Sequence, residues 1–129
     1  MNPSARKVTF DPALFRALLS QHQQSLDPER RWLLLEAMHV VGQTHFVPHW
    51  ISHWRMLAQA LEEGDRVEML GQLMRLALVP VGHALGRLPL GNPGRANVSA
   101  FKPMEVSEDI ARVIAEATGG TWVSEADRP

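Results

Sequence analysis

Residues 27–65 read DPERRWLLLEAMHVVGQTHFVPHWISHWRMLAQALEEGD, and the fold class turns on this stretch. Asp27 before Pro28 is a helix start: a capping side chain precedes a proline whose missing N–H would be an orphan in the first turn anyway. From Pro28 to about Val41 apolar residues nearly surround the segment, leaving Glu36, His39 and Gln43 as almost its only polar strip, and Gly42 stops it. A further helix is expected from about Phe46 to Glu63, ended by Gly64, a residue suited to the left-handed conformation at helix ends. Two helices joined by so short a turn, centred near Thr44, form an antiparallel pair.

Working outward, Asp11-Pro12 repeats the start signal, and Leu14, Leu18 and Leu19 recur at helical spacing up to about Gln24. Downstream, Asp65 with Glu68 three residues on resembles a capping box and opens a fourth helix expected to run to about Val79, where Pro80, Gly82 and Gly86 break or kink it. Leu88 to Pro103, rich in Gly, Pro and Asn, reads as an ordered loop whose Asn and Ser side chains satisfy backbone groups. Ser107 caps a short last helix, Glu108 to Ala117, closed by Gly119-Gly120. The expected architecture is all-α: an antiparallel helix bundle of four main helices plus the short C-terminal one, in a single domain over 1–129 with an ordered loop at about 88–105. On the wheel of the third helix, Val47, Ile51, Trp54, Ala58 and Leu61 form a stripe read as its core face. Ser52, Arg55, Gln59 and Glu62 are read as its wet face, and Phe46, His49, His53, Met56 and Ala60 as a third, mixed arc.

The chain has 129 residues, 45% hydrophobic and 21% charged, enough to bury a core without staples. Thirteen basic and fourteen acidic residues leave a formal charge of -1 with no basic run, which speaks against nucleic acid as a partner. The absence of cysteine removes disulfides, thiolate metal sites and thiol catalysis, and fits a cytoplasmic location. Neither a signal-peptide pattern after Arg6 and Lys7 nor an apolar run long enough for a membrane span is present. Met, His, Asp and Glu remain as metal ligands.

The polar strip of the second helix and the mixed arc of the third carry the chemistry. With a turn near Thr44, His39 is expected level with about His49 and Glu36 level with about His53. Glu36 with His39, and His49 with His53, each project side by side at helical spacing, so Glu36, His39, His49 and His53 converge as four N/O ligands. That set suits a divalent transition metal, zinc first, with iron, copper or nickel as alternatives. His45 and His83 fall near the same end of the bundle and are auxiliary candidates. His22, on a polar segment, reads as a hydrogen-bonded or surface residue. Neutral imidazole is the ligating form, so metal affinity should fall as pH drops through about 6.5, the unperturbed value. The Gly91 to Asn97 segment lacks the Gly-Lys-Ser/Thr ending of a phosphate loop, and the tryptophans and methionines read chiefly as core.

The segments Glu36-Ala-Met-His39-Val-Val-Gly42-Gln43-Thr-His45, Pro48-His49, His53-Trp54-Arg55-Met56-Leu57 and Gly91-Asn92-Pro-Gly94-Arg-Ala96-Asn97-Val98-Ser99 through Met104 together resemble a small bacterial domain family of unknown function. Members of that family are sometimes met beside heavy-metal resistance or efflux genes, which implies a metal-linked role and no particular activity. Three functions follow as expectations. The first is a metal-binding accessory protein of bacterial metal resistance or homeostasis. The second is a non-catalytic helical interaction module, a homo-oligomer or a protein binder, in which Trp32, Trp50 or Trp54 packs a partner helix. The third is a di-iron carboxylate oxidase, suggested by Glu36-x-x-His39, although such bundles use two of these motifs and two further glutamates.

Overall fold

The computed structural model describes residues 9–119, and within them the chain is helical without any strand. α1 spans Pro12–Gln24, α2 Pro28–Gly42, α3 Phe46–Glu63, α4 Arg66–Leu85 and α5 Glu108–Ala117. The local signals explain the boundaries. Asp11 accepts from the amide of Ala13, Asp65 from Glu68 and Ser107 from Ile110, each such cap contributing about 1 kcal/mol. Asp27 makes no side-chain cap bond, so α2 starts on Pro28 alone. Gly64 and Gly86, with φ of 67° and 65°, end α3 and α4 in the left-handed conformation. Arg6, Lys7 and Gly120 lie outside the described residues. No helix among the described residues is long and apolar enough to cross a membrane.

Two expectations are corrected. α4 does not end at Val79 but continues through Pro80 to Leu85. Pro80 lies on the exposed side, while Val79 is buried and His83 bonds His49, holding the last turns in register. The face of α3 is also different. Val47, Trp54 and Leu61 are 61%, 57% and 56% exposed, whereas Ser52 and Gln59 are buried together with His49, His53, Met56 and Ala60. Burial of the polar residues is possible because each has partners. Ser52 donates to the carbonyl of Pro48, and Gln59 meets His22, the carbonyl of Pro28 and Glu63.

α2 is the hub, packing against α1, α3 and α5, while α4 packs on α3. Contacts between α2 and α3 join Arg31 to Glu62, Trp32 to Glu63 and His39 to both His49 and His53, an antiparallel register. The turn is tight because Gly42 has no Cβ. One built there would stand 2.7 Å from Pro48 Cβ and 3.0 Å from the Phe15 ring. The apolar core lies between α1, α2 and α5 and takes Met56 and Ala60 from α3. The histidine end of α2 and α3 therefore lies beside the core, against α4 and the segment after Gly86.

Candidate metal centre

All three polar residues of the α2 strip face the segment between Pro89 and Arg95. Glu36 bonds Arg95, His39 Nδ1 donates to the carbonyl of Asn92 at 2.6 Å, and Gln43 donates to the carbonyl of Pro89 while accepting from the amide of Gly91. The loop is organised around Asn92, which is buried. Its amide donates to the carbonyls of Ser99 and Lys102, and its carbonyl oxygen accepts from the amide of Gly94. Gly94, at φ 87°, lies flat on His39, and a Cβ there would stand 2.7 Å from the imidazole ring. A side chain at this position would both strain the backbone and displace the histidine.

Behind this loop the Nε2 atoms of His39, His49 and His53 form a triangle with edges of 3.1, 3.1 and 3.2 Å. All three residues are buried. Each outer nitrogen is engaged: His39 Nδ1 with Asn92, His53 Nδ1 with Gln72 Oε1 at 2.7 Å, and His49 Nδ1 with His83 Nε2 at 3.0 Å. These partners settle where the protons are. A peptide carbonyl only accepts, so His39 carries its proton on Nδ1. The Gln72 amide nitrogen donates to the carbonyl of Gly94 and to Glu68, so its oxygen faces His53, which also carries its proton on Nδ1. Two neutral rings thus turn bare Nε2 lone pairs on one another, and His49 can place at most one proton in the triangle.

A proton is a poor filling for it. Burial first, then the neighbouring His53 and His49, hold His39 well below the usual 6.5. Burial likewise takes His49 to about 3 and His53 to about 4. A metal ion fits the same space. Set ~2.0–2.1 Å from each nitrogen, the ordinary zinc–imidazole distance, it would see the 3.1 to 3.2 Å edges under angles of about 100°, between octahedral and tetrahedral values. The group formed by His39, His49 and His53 has the spacing of a metal site, and no carboxylate joins it among the described residues.

The sequence model of a family described as "Protein of unknown function (DUF3703)" matches residues 8–114. The chain belongs to this family. No curated protein and no solved structure matches it. Membership in DUF3703 carries no activity with it, so function has to be read from the site.

Of the residues singled out from the sequence, the fold brings together His39, His49 and His53, with His83 one hydrogen bond behind His49. Glu36 is elsewhere. The register places His39 against both His49 and His53, so Glu36, a turn back on α2, passes the triangle and pairs with Arg95 at 3.2 Å. Burial raises the Glu36 carboxyl against the opposing pull of Arg95. Arg95 also pairs with Glu68 and stacks 3.7 Å over Trp32, a clasp that fastens the loop to α2 and α4. Glu68 accepts from the amide of Ala96, so it serves the loop and does not reach back to close a capping box. His45 is exposed at the start of α3, bonded to Thr44 and packed tilted against Phe10. His22 is buried, bonded to Gln59 through Nε2, with no partner for Nδ1. The Asn92 side chain satisfies backbone groups of the loop as the sequence suggested, but Gln72, and the Asn92 carbonyl as a partner of His39, escaped the sequence reading. Their signal was faint: a glutamine amid the apolar residues of α4, and an asparagine between two glycines.

Proposed function

We propose that this protein is a metal-binding accessory protein, holding a first-row divalent ion, zinc first and iron, copper or nickel otherwise, on the Nε2 atoms of His39, His49 and His53. The reading rests on the two buried lone pairs aimed at each other across 3.1 Å, an arrangement that costs free energy unless a cation sits among them. Outer-nitrogen hydrogen bonds to Asn92, Gln72 and His83 are the support that ligating histidines ordinarily receive. Glu36 and His45 fall outside the proposed ligand set, and His83 backs His49. A cytoplasmic role in metal resistance or homeostasis is the setting we propose. Elemental analysis of protein purified without an affinity tag, followed by calorimetric titration with zinc, copper, nickel, cobalt and iron, tests it. The expected result is one ion per chain, lost when His49 and His53 are both replaced by Ala and retained in His22→Ala. Binding no tighter than millimolar, ~4 kcal/mol, would remove the metal reading.

A second reading, a helical interaction module, draws on the apolar side chains that α3 and α4 leave in water. On α3 these are Val47, Trp54 and Leu61, and on α4 Val67, Leu70, Met74 and Val81. The two readings are compatible, since the triangle of His39, His49 and His53 lies on the buried side of α3, away from these exposed side chains.

A further inference from the structure

The three imidazoles also form one wall of a cavity of about 240 Å³. Much of the remaining wall is apolar, supplied by Leu78, Val79, Leu85 and Leu88 and by Phe101 from the loop. Leu85 and Phe101 are 66% and 72% exposed, so the cavity opens to solvent between the end of α4 and the loop. One buried cation, Arg75, also lines it. Its guanidinium donates to the carbonyls of Gly71 and Val98, and among the described residues no carboxylate stands within ion-pairing distance of it. Its charge reaches both His39 and His53.

Three neutral imidazoles leave the charge of a bound dication uncompensated. The nearest carboxylates do not help, because Glu36 and Glu68 are both engaged by Arg95. Uncompensated charge beside an apolar, partly desolvated wall is costly, so the site calls for an anion, and the wall selects one with an apolar body. We infer that the metal keeps a coordination position open towards the cavity and binds there the head of a small organic monocarboxylate whose hydrocarbon part lies against Leu78, Val79 and Leu88. This rests on the metal-binding reading. At ~30 Å³ for each water-sized group, the cavity takes roughly eight non-hydrogen atoms, about the size of hexanoate.

Cobalt(II)-loaded protein provides the test, since its visible d–d bands respond to a change of coordination. The bands are titrated with acetate, butyrate and hexanoate, and the metal-free protein is titrated by calorimetry as the control. Expected are a band shift with each acid, affinity rising about fourfold per methylene, and no binding without metal. Leu85→Asp, a largely exposed position at the mouth, should weaken hexanoate about tenfold and leave cobalt uptake unchanged. Bands indifferent to hexanoate, or acetate and hexanoate binding alike, would overturn the inference and leave the metal reading standing. A protein that takes up no cobalt overturns the metal reading itself, and the inference with it.

Discussion

Gln72 contributes no metal ligand, yet it fixes His53 by accepting from Nδ1 and is itself fixed by donating to Gly94 and Glu68. The chain of bonds runs from the loop through α4 to the triangle. Replacing Gln72 by Leu removes the acceptor that holds the His53 proton on Nδ1, so the ring is free to turn or to change tautomer and withdraw its Nε2 lone pair. Loss of such a supporting partner typically costs 10- to 100-fold in metal affinity. That range is expected for Gln72→Leu, measured by competition with a chromophoric chelator. Equal zinc affinity in wild type and Gln72→Leu would mean that the hydrogen bond merely fills space. His45 makes the contrast: six residues from His39 and four from His49, it is exposed and packed against Phe10. Spacing along the chain does not make a ligand unless the backbone aims it inward.

Helix α3 shows what a helical wheel can and cannot tell. Its ends were legible, because Gly64 and the turn after Gly42 act within a few residues. Its orientation was not, because the apolar stripe Val47, Trp54 and Leu61 looks like a core face, whereas His49, His53, Met56 and Ala60 of the mixed arc go in together with Ser52 and Gln59. The buried polar residues gain their partners from residues remote in sequence: on α3 Gln59 from Pro28 and His53 from Gln72, on α2 His39 from Asn92. Local periodicity carries no record of such pairs. The same holds for the site: helical spacing singled out His39, His49 and His53, which the fold brings together, but Glu36 was placed by a register uncertain by about a turn, and it pairs with Arg95 instead. What the buried face gains, the apolar stripe loses to solvent. On α4, Val67, Leu70, Met74 and Val81 recur three, four and seven residues apart, all exposed, an apolar face of the kind a partner surface would cover. Sedimentation velocity over a range of concentrations should show self-association of the wild type, suppressed in the double substitution Trp54→Arg and Leu70→Glu. Monomeric wild type at high concentration would remove self-association as the use of this face.

At the scale of the molecule the triangle stands where α2, α3, α4 and the loop meet. An ion held there would tie α2 through His39 to α3 through His49 and His53, and through Gln72, His83 and Asn92 it would reach α4 and the loop. The metal-free fold carries a matching weakness to acid. Burial depresses His39, His49 and His53 from the usual 6.5, the latter two to about 3 and about 4, so below pH 6.5 the unfolded chain binds more protons than the folded one. Stability rises with pH wherever the unfolded state binds more protons. The contribution of these three groups is therefore complete above about pH 6.5 and is lost progressively as pH falls from there towards 4 and 3. It also shifts the expectation for metal binding: the folded protein holds its imidazoles neutral well below 6.5, so affinity for the folded form should persist to about pH 5 and not halve near 6.5. Thermal melts at pH 7.5, 6, 5 and 4, with and without zinc, separate the two effects. Without zinc the melting temperature should fall steadily below pH 6.5. With zinc at 100 times its dissociation constant the fold gains about 2.7 kcal/mol, raising the melting temperature down to about pH 5. In the protein with His49 and His53 both replaced by Ala the zinc effect should vanish and the acid sensitivity should flatten. A zinc-induced rise that survives in that variant would place the ion elsewhere, and acid sensitivity unchanged in it would assign the pH dependence to other groups.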